Sequence, residues 1–364
     1  MPADIGKETY RLRQVRLLAE LEGSGAEALL ITRPENCLYL TGFSGEGTVV
    51  VSASGTWLLT DFRYLEVAQA EVEAAQPVRI EGGWTQTVKR LVTDQGWGRL
   101  AFEAEHLTYG RYCELAEALA PVLLVPTAGL VERLRRVKDE AELERLRHAA
   151  WITDTAFSYV LERIRPGITE KELALELEYY LGRNGSEGVS FPTIVAAGPR
   201  SARPHAVPRE EPVREGDLLL LDFGAVWEGY HADLTRTVAV GRAGAKEREV
   251  YAVVREAQEE ALAAIRAGRT VAEIDSLARE VIARAGYGEY FGHRLGHGVG
   301  LAVHEEPALG GEETVLEPGM VVTVEPGIYL PGWGGVRIED LVVVTRDGCE
   351  ILSRAPKDFL IVGR

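Results

Sequence analysis

Four acidic residues stand where acids are costly to place. Asp222 follows the apolar run Leu218 to Leu221 and opens DFG, Asp233 follows in HADLTRTV, Glu325 ends VVTVE, and Glu339 sits in VRIED ahead of LVVVT. A carboxylate inside an apolar strand costs several kcal/mol unless something positive meets it. If Trp227 and Glu228 form the turn of the first hairpin, Asp222 and Asp233 fall opposite one another. Their Cβ atoms would then be about 4.5 to 5.5 Å apart, where like charges repel unless a cation lies between them. Four carboxylates carry about −4, more than one divalent ion neutralises, so a pair of divalent ions with shared carboxylates is the economical solution. His297, in GHRLGHGVG, can add a neutral imidazole, and the glycines on both sides of it permit close approach of the backbone. Oxygen donors with one nitrogen favour Mn²⁺ or Co²⁺, with Zn²⁺ as a further alternative and thiolate-loving ions excluded. Structural ion pairs with Arg236 or Arg337 would explain any one of these acids taken singly, but not four on two related hairpins.

The elements that carry these residues are repeated. IRPGITEKEL from Ile164 matches IRAGRTVAEI from Ile265, and EGDLLLLDFG matches EPGMVVTVEPG at nearly the same offset of about a hundred residues, setting Asp222 against Glu325. Both copies place Thr and Glu in capping-box spacing after a glycine, Thr169 with Glu172 and Thr270 with Glu273. Each half therefore reads as helix, capped helix, loop and hairpin, and a duplicated unit of this kind packs two helix pairs over one curved antiparallel sheet. Ahead of it, the apolar runs ALLI, CLYL, TVVV, TWLL and PVLL alternate with helix-like segments at Phe62 to Glu73 and Tyr109 to Ala120, the rhythm of a mixed α/β domain. Pro126 to Gly129 breaks that rhythm, and LVERLRRVKDEAELERLRHAA has the period of one long amphipathic helix with Asp139 and Glu142 in capping positions. The boundary is expected near residue 127.

Composition narrows the function. At 364 residues the chain is long enough for about two domains, and 46% hydrophobic with 26% charged residues is a globular balance. A formal net charge of −16 repels polyanions and disfavours nucleic acid or an acidic membrane as partner. The charged N-terminal segment lacks the apolar stretch of a signal peptide, and no apolar run approaches the roughly 18 residues of a membrane span, so a cytoplasmic location is expected. Cys37, Cys113 and Cys349 are too few and too scattered for a disulfide framework or thiolate metal site, and are expected to pack. Gly241 to Lys246 lacks phosphate-loop spacing, and His304-Glu305 does not continue to HExxH.

DFG with Asp233 downstream, GHGVGLAVHEEP, VEPGIY and GVRIED resemble the metal-dependent peptidases of the pita-bread fold, and among them the Xaa-Pro peptidases, aminopeptidase P and prolidase. The resemblance covers nearly the whole chain. It implies an α+β protein: a smaller α/β creatinase-type N-terminal domain over residues 1–127, then an internally duplicated pita-bread catalytic domain over 128–364. It further implies a dinuclear peptidase that cleaves between an N-terminal residue and a following proline through a metal-bridging hydroxide. Asp222, Asp233, His297, Glu325 and Glu339 would hold the two ions, most simply Mn²⁺, and Glu325 would also shuttle the proton. By the same resemblance His304 polarises the scissile carbonyl, His205 contacts the leaving proline side, His293 lines the substrate pocket, and Tyr329 and Arg337 anchor substrate beside the metals. A proline-containing peptide is then the substrate and a homodimer or larger homo-oligomer the assembly. His231 is expected behind Asp233 on the same strand face, while His106 and His148 read as surface or packing residues. The same fold also serves non-catalytic binding modules and metal-free, creatinase-like C–N hydrolases; the complete ligand set argues against both.

Overall fold

Apolar runs bounded by turn residues become strands in the first third of the chain, with one exception. A computed structural model describes residues 5–311 and 313–363. ALLI is the strand Ala28–Ile31, TVVV and TWLL fall in Thr48–Ser52 and Gly55–Thr60, and PVLL leads into Leu123–Thr127. With Gln76–Arg79 and Arg99–Glu103 they form a six-stranded mixed sheet with Ala28–Ile31 near its centre. The exception is CLYL, which lies in the helix Pro34–Thr41: Pro34 at its first turn presets a helical φ, and Gly42 closes it in the left-handed conformation. The helix expected over Phe62 to Glu73 is shorter, Leu65–Glu71, and the next runs Tyr109–Leu119 from the Thr108 cap. One face of the sheet packs Leu30, Val50, Leu59, Leu100 and Phe102 on Val88, Val92 and Leu115 from the helices.

Two compact units divide between Arg135 and Arg136, later than the sequence suggested. The expected long helix is broken: Leu130–Arg135 belongs to the first unit, where Arg135 Nη1 donates to Asn36 Oδ1 at 2.8 Å, and a new helix Glu140–Leu161 starts from the Asp139 and Glu142 capping box. Between them the chain is extended, because Val137 bridges Met320 and Lys138 N–H donates to Gly319 O at 2.9 Å.

In the second unit the repeat is plain. Helices Glu140–Leu161 and Glu170–Arg183 lie before the strands Ile194–Ala197, Leu218–Phe223 and Leu234–Val240, and helices Ala245–Ala264 and Val271–Arg284 before Gly296–Gly298, Glu305–Leu309, Val321–Val324 and Asp340–Val344. Both expected Thr and Glu capping boxes form. Each half has its own sheet and apolar core, one around Phe157, Leu177 and Leu221, the other around Val254, Ile274 and Val322. The sheets are antiparallel apart from the short edge strand Ile361–Val362, which runs parallel to Leu234–Val240. They meet where Glu339 N–H donates to Thr235 O at 3.1 Å.

The first hairpin turns one residue later than the sequence suggested. Tyr230 pairs with Trp227, so the turn is Glu228-Gly229 with φ of 46° and 77°. A tight hairpin of this kind needs positive φ at both central residues, and Gly229 supplies one of them without strain. The shift sets Asp222 opposite Thr235, and Asp233 is displaced along the hairpin from it. The opposed acids are in the second hairpin: Val324 pairs with Asp340 and Gly327 with Arg337, a register that sets Glu325 across from Glu339. Among the described residues no helix is long and apolar enough to cross a membrane. Cys37 is buried as expected, but Cys113 is exposed.

Candidate metal centre

Alternation along strands decides which side chains share a face. Asp222 is at the end of Leu218–Phe223, Glu325 follows Val321–Val324, Glu339 precedes Asp340–Val344, and His297 is the middle residue of Gly296–Gly298. Glycine lets that last strand lie against its neighbours: an added Cβ would sit 2.1 Å from Thr323 O at Gly296 and 2.4 Å from Glu306 O at Gly298. Glu325 N–H donates to Leu295 O at 2.8 Å, which fixes the glutamate beside the histidine.

Asp233, His297 and Glu339 bring one ligand atom each to within 4.8 Å of one another. His297 Nε2 is 3.5 Å from both Asp233 Oδ2 and Glu325 Oε1, beyond hydrogen-bond length but suited to donors arranged around a common ion. Its other nitrogen, Nδ1, lies 3.1 Å from Gly298 O; a carbonyl only accepts, so Nδ1 carries the proton and Nε2 keeps its lone pair for the centre. Asp222 stands beside this group and bonds through Oδ2 to Arg337 Nη2. The structure thus brings together three of the five expected ligands directly and flanks them with the other two.

The test of a cation is what the carboxylates lack. Asp222 Oδ1, Asp233 Oδ1 and Glu339 Oε1 are buried and accept no hydrogen bond. Burial, then repulsion from Asp222 and Glu325, drives the Asp233 carboxyl well above the ordinary range. Glu339 is pushed up likewise by burial and by Asp233, Glu325 and Asp222, and burial also raises Glu325. Unmatched buried anions of this kind are tolerable when divalent ions neutralise them, and the donor set of oxygens and one imidazole fits such ions.

Arg337 is buried and bonded through all three of its side-chain nitrogens. Besides Asp222 it donates through Nε to Thr235 Oγ1 at 3.0 Å and through Nη1 to the Tyr329 hydroxyl at 2.9 Å. Tyr329 in turn bonds His293 Nε2 at 2.8 Å, and His293 Nδ1 meets Arg294 O at 2.7 Å. The carbonyl makes Nδ1 the donor, so Nε2 accepts from the tyrosine and the ring is neutral; burial lowers its pKa to about 4. Burial raises the Tyr329 phenol to about 12. Arg236, the other base expected near the acids, points to the opposite face and pairs with Asp340 at 2.7 Å.

His304 meets His297 edge to face, with ring centroids 4.3 Å apart and planes at 62°, and burial followed by His297 and His205 lowers its pKa. His205 is exposed and near enough to influence both His293 and His304. His231 ties its backbone N–H to Gly300 O at 2.8 Å; the ladder stops at His231 and resumes at Leu234, so alternation does not carry across to Asp233. His148 packs at a tilt against Trp227, with ring centroids 4.2 Å apart, and His106 bonds Thr32 Oγ1 at 2.9 Å. Two threonines escaped the sequence reading. Thr235 Oγ1 donates to Glu339 Oε2 at 2.7 Å, and Thr323 Oγ1 donates to Glu325 Oε1 at 3.2 Å while accepting from His297 N–H at 3.0 Å. Each lies two residues from an acid, Asp233 or Glu325, and that spacing was the available signal.

Residues 144–346 match the family model for metallopeptidase family M24, and residues 13–137 match that for the creatinase/prolidase N-terminal domain. A solved Xaa-Pro dipeptidase from Bacillus anthracis superposes with a TM-score of 0.95 at 43% identity, covering 97% of this chain and 100% of that one. An X-Pro aminopeptidase from Thermotoga maritima superposes at 0.89 with 39% identity over 94% and 100% of the two chains. In sequence, a Xaa-Pro dipeptidase from Pyrococcus horikoshii is 37% identical over 95% of this chain and 97% of its own. With its paired acidic hairpins and these matches, the chain belongs to metallopeptidase family M24 and carries a creatinase/prolidase N-terminal domain.

Proposed function

We propose that this protein is a dinuclear Xaa-Pro peptidase that hydrolyses the bond between an N-terminal residue and a following proline. The observation that carries the reading is the set of donorless buried oxygens on Asp222, Asp233 and Glu339 around His297. The relatives named above act on Xaa-Pro bonds by their descriptions, which supports the substrate class. Asp222, Asp233, His297, Glu325 and Glu339 would hold two divalent ions, with Mn²⁺ preferred by the oxygen-rich donors. Such ions supply Lewis acidity, polarising a carbonyl and lowering the pKa of a water toward about 7.

The chain's own groups do the rest. Glu325, raised by burial, is suited to take the proton of the attacking water and to deliver it to the leaving proline nitrogen. That delivery matters because the bond before proline is a tertiary amide without N–H, which departs poorly unless its nitrogen is protonated. His304 would steady the charge that develops on the carbonyl oxygen, and His205 would meet the proline side. His293, Tyr329 and Arg337 have their polar atoms engaged with each other, with Asp222 and with the backbone, so they would brace the centre where it faces substrate.

Hydrolysis of a Xaa-Pro dipeptide and a Xaa-Pro-Yaa tripeptide by the Mn²⁺-loaded chain, with Asp222→Ala as control, tests the reading. Cleavage at proline by the wild type and its loss in the variant are expected. Full activity in Asp222→Ala would remove the site assignment.

A further inference from the structure

We propose that Lys138 and Glu305 form an ion pair that positions His304 for the reaction. The inference rests on the peptidase reading above and adds two positioning residues to it.

Lys138 Nζ lies 2.8 Å from Glu305 Oε1, and the side chains are 1% and 7% exposed. Glu305 follows His304 directly and pairs with Gly298 at the start of its strand. Its carboxylate folds back over the segment Val299 to His304: an added Cβ at Gly300 would stand 2.2 Å from Oε1, and Oε2 accepts from Ala302 N–H at 3.4 Å. The same segment is tied by Gly300 N–H to Ala302 O at 3.0 Å and, from the Asp233 hairpin, by His231 N–H to Gly300 O. Glu305 therefore occupies the inside of the loop that presents the His304 ring to His297. Lys138 is fixed in turn by its backbone bond to Gly319 and by its place beside Asp139, the cap of the helix Glu140–Leu161.

A buried ion pair gives little net stability over an apolar pair of the same volume, so its use here is to specify one geometry. At low local dielectric the Lys138 charge fixes where the Glu305 carboxylate lies, and the carboxylate fixes the loop. A group that stabilises developing charge must be held to within about 0.5 Å, and displacement by about 1 Å can cost a hundredfold in rate.

The test measures kcat, KM and bound metal of the Mn²⁺-loaded full chain on a Xaa-Pro dipeptide. The variants are Lys138→Met, Glu305→Gln, His304→Ala, and Lys138→Met combined with His304→Ala. We expect Lys138→Met and Glu305→Gln to lower kcat about tenfold with KM within about twofold and metal content unchanged. The combined variant should be no slower than His304→Ala alone, because Lys138 acts through that ring. Multiplying effects in the combined variant would overturn the inference. So would wild-type kcat in Glu305→Gln, including the case in which Lys138→Met fails to fold. An active wild type with such variants leaves the peptidase reading intact, whereas an inactive wild type removes both.

Discussion

Glu339 and Asp340 are neighbours in sequence, 1% and 0% exposed, and their surroundings differ completely. Asp340 meets Arg236 Nη2 at 2.7 Å through one oxygen and Lys357 Nζ at 2.7 Å through the other. Glu339, on the opposite face, accepts from Thr235 through Oε2 and leaves Oε1 with no donor, among three further acids. Burial alone therefore does not mark a functional acid. A buried acid with both carboxylate oxygens met by donors belongs to the framework, whereas one with an oxygen left without a donor, as on Asp222, Asp233 and Glu339, is a candidate cation ligand. Glu103 in the N-terminal unit belongs to the first kind: it accepts from Thr32 N–H at 2.7 Å, Arg33 N–H at 2.8 Å and Asn36 Nδ2 at 2.6 Å.

Exchanging one atom at each neighbour breaks this contrast in opposite ways. Glu339→Gln should lower kcat/KM on a Xaa-Pro dipeptide roughly a thousandfold, about 4 kcal/mol of transition-state stabilisation, while the metal-free chain stays folded. Steady-state kinetics with a denaturation curve check both halves of that statement. Asp340→Asn should do the reverse: by leaving Arg236 and Lys357 underpaired it should cost about 3 kcal/mol of stability in urea unfolding and leave the metal ligands in place.

The acids on the metal face also predict a pH dependence. Without metal, Asp233, Glu325 and Glu339 are held above the ordinary carboxylate range, while in the unfolded chain they titrate near about 4. In that interval the folded chain binds more protons than the unfolded one. The contribution of these three acids to stability is therefore fully present below about pH 4 and is lost as pH rises through the raised range, by at most about 1.4 kcal/mol per pH unit and group. Saturating Mn²⁺ should abolish the fall. Chemical denaturation between about pH 5 and 8, with chelator and with Mn²⁺, is the measurement. A metal-free chain that gains stability across that interval through these acids would contradict the assignment. The smallest effect belongs to Thr235→Val, which removes the hydroxyl bonded to Glu339 and should weaken Mn²⁺ binding about tenfold in a titration.

Much of this was legible in the sequence because charge inside an apolar strand is conspicuous. The buried acids and His297 as a candidate cluster, the duplicated capping boxes and the strands Ala28–Ile31 and Thr48–Ser52 all follow from local patterns. What escaped depends on register or on distance along the chain. Choosing Glu228-Gly229 instead of Trp227-Glu228 as the turn moves Asp222 from Asp233 to Thr235, a difference decided by where positive φ is affordable. CLYL has the composition of a strand, yet it lies in a helix that Pro34 opens and Gly42 closes. The bond from Arg337 to Asp222 and the pair of Lys138 with Glu305 join residues more than a hundred positions apart, which no local pattern encodes.

Metal content of the full chain after equilibration with Mn²⁺ at neutral pH, measured together for wild type, Glu339→Gln and Asp340→Asn, decides whether dications meet the unmatched acids. Two ions per chain are predicted for the wild type and for Asp340→Asn, and fewer for Glu339→Gln. A wild type that takes up none, or a Glu339→Gln chain that binds as many as the wild type, would mean that Glu339 and its acidic neighbours are not metal ligands.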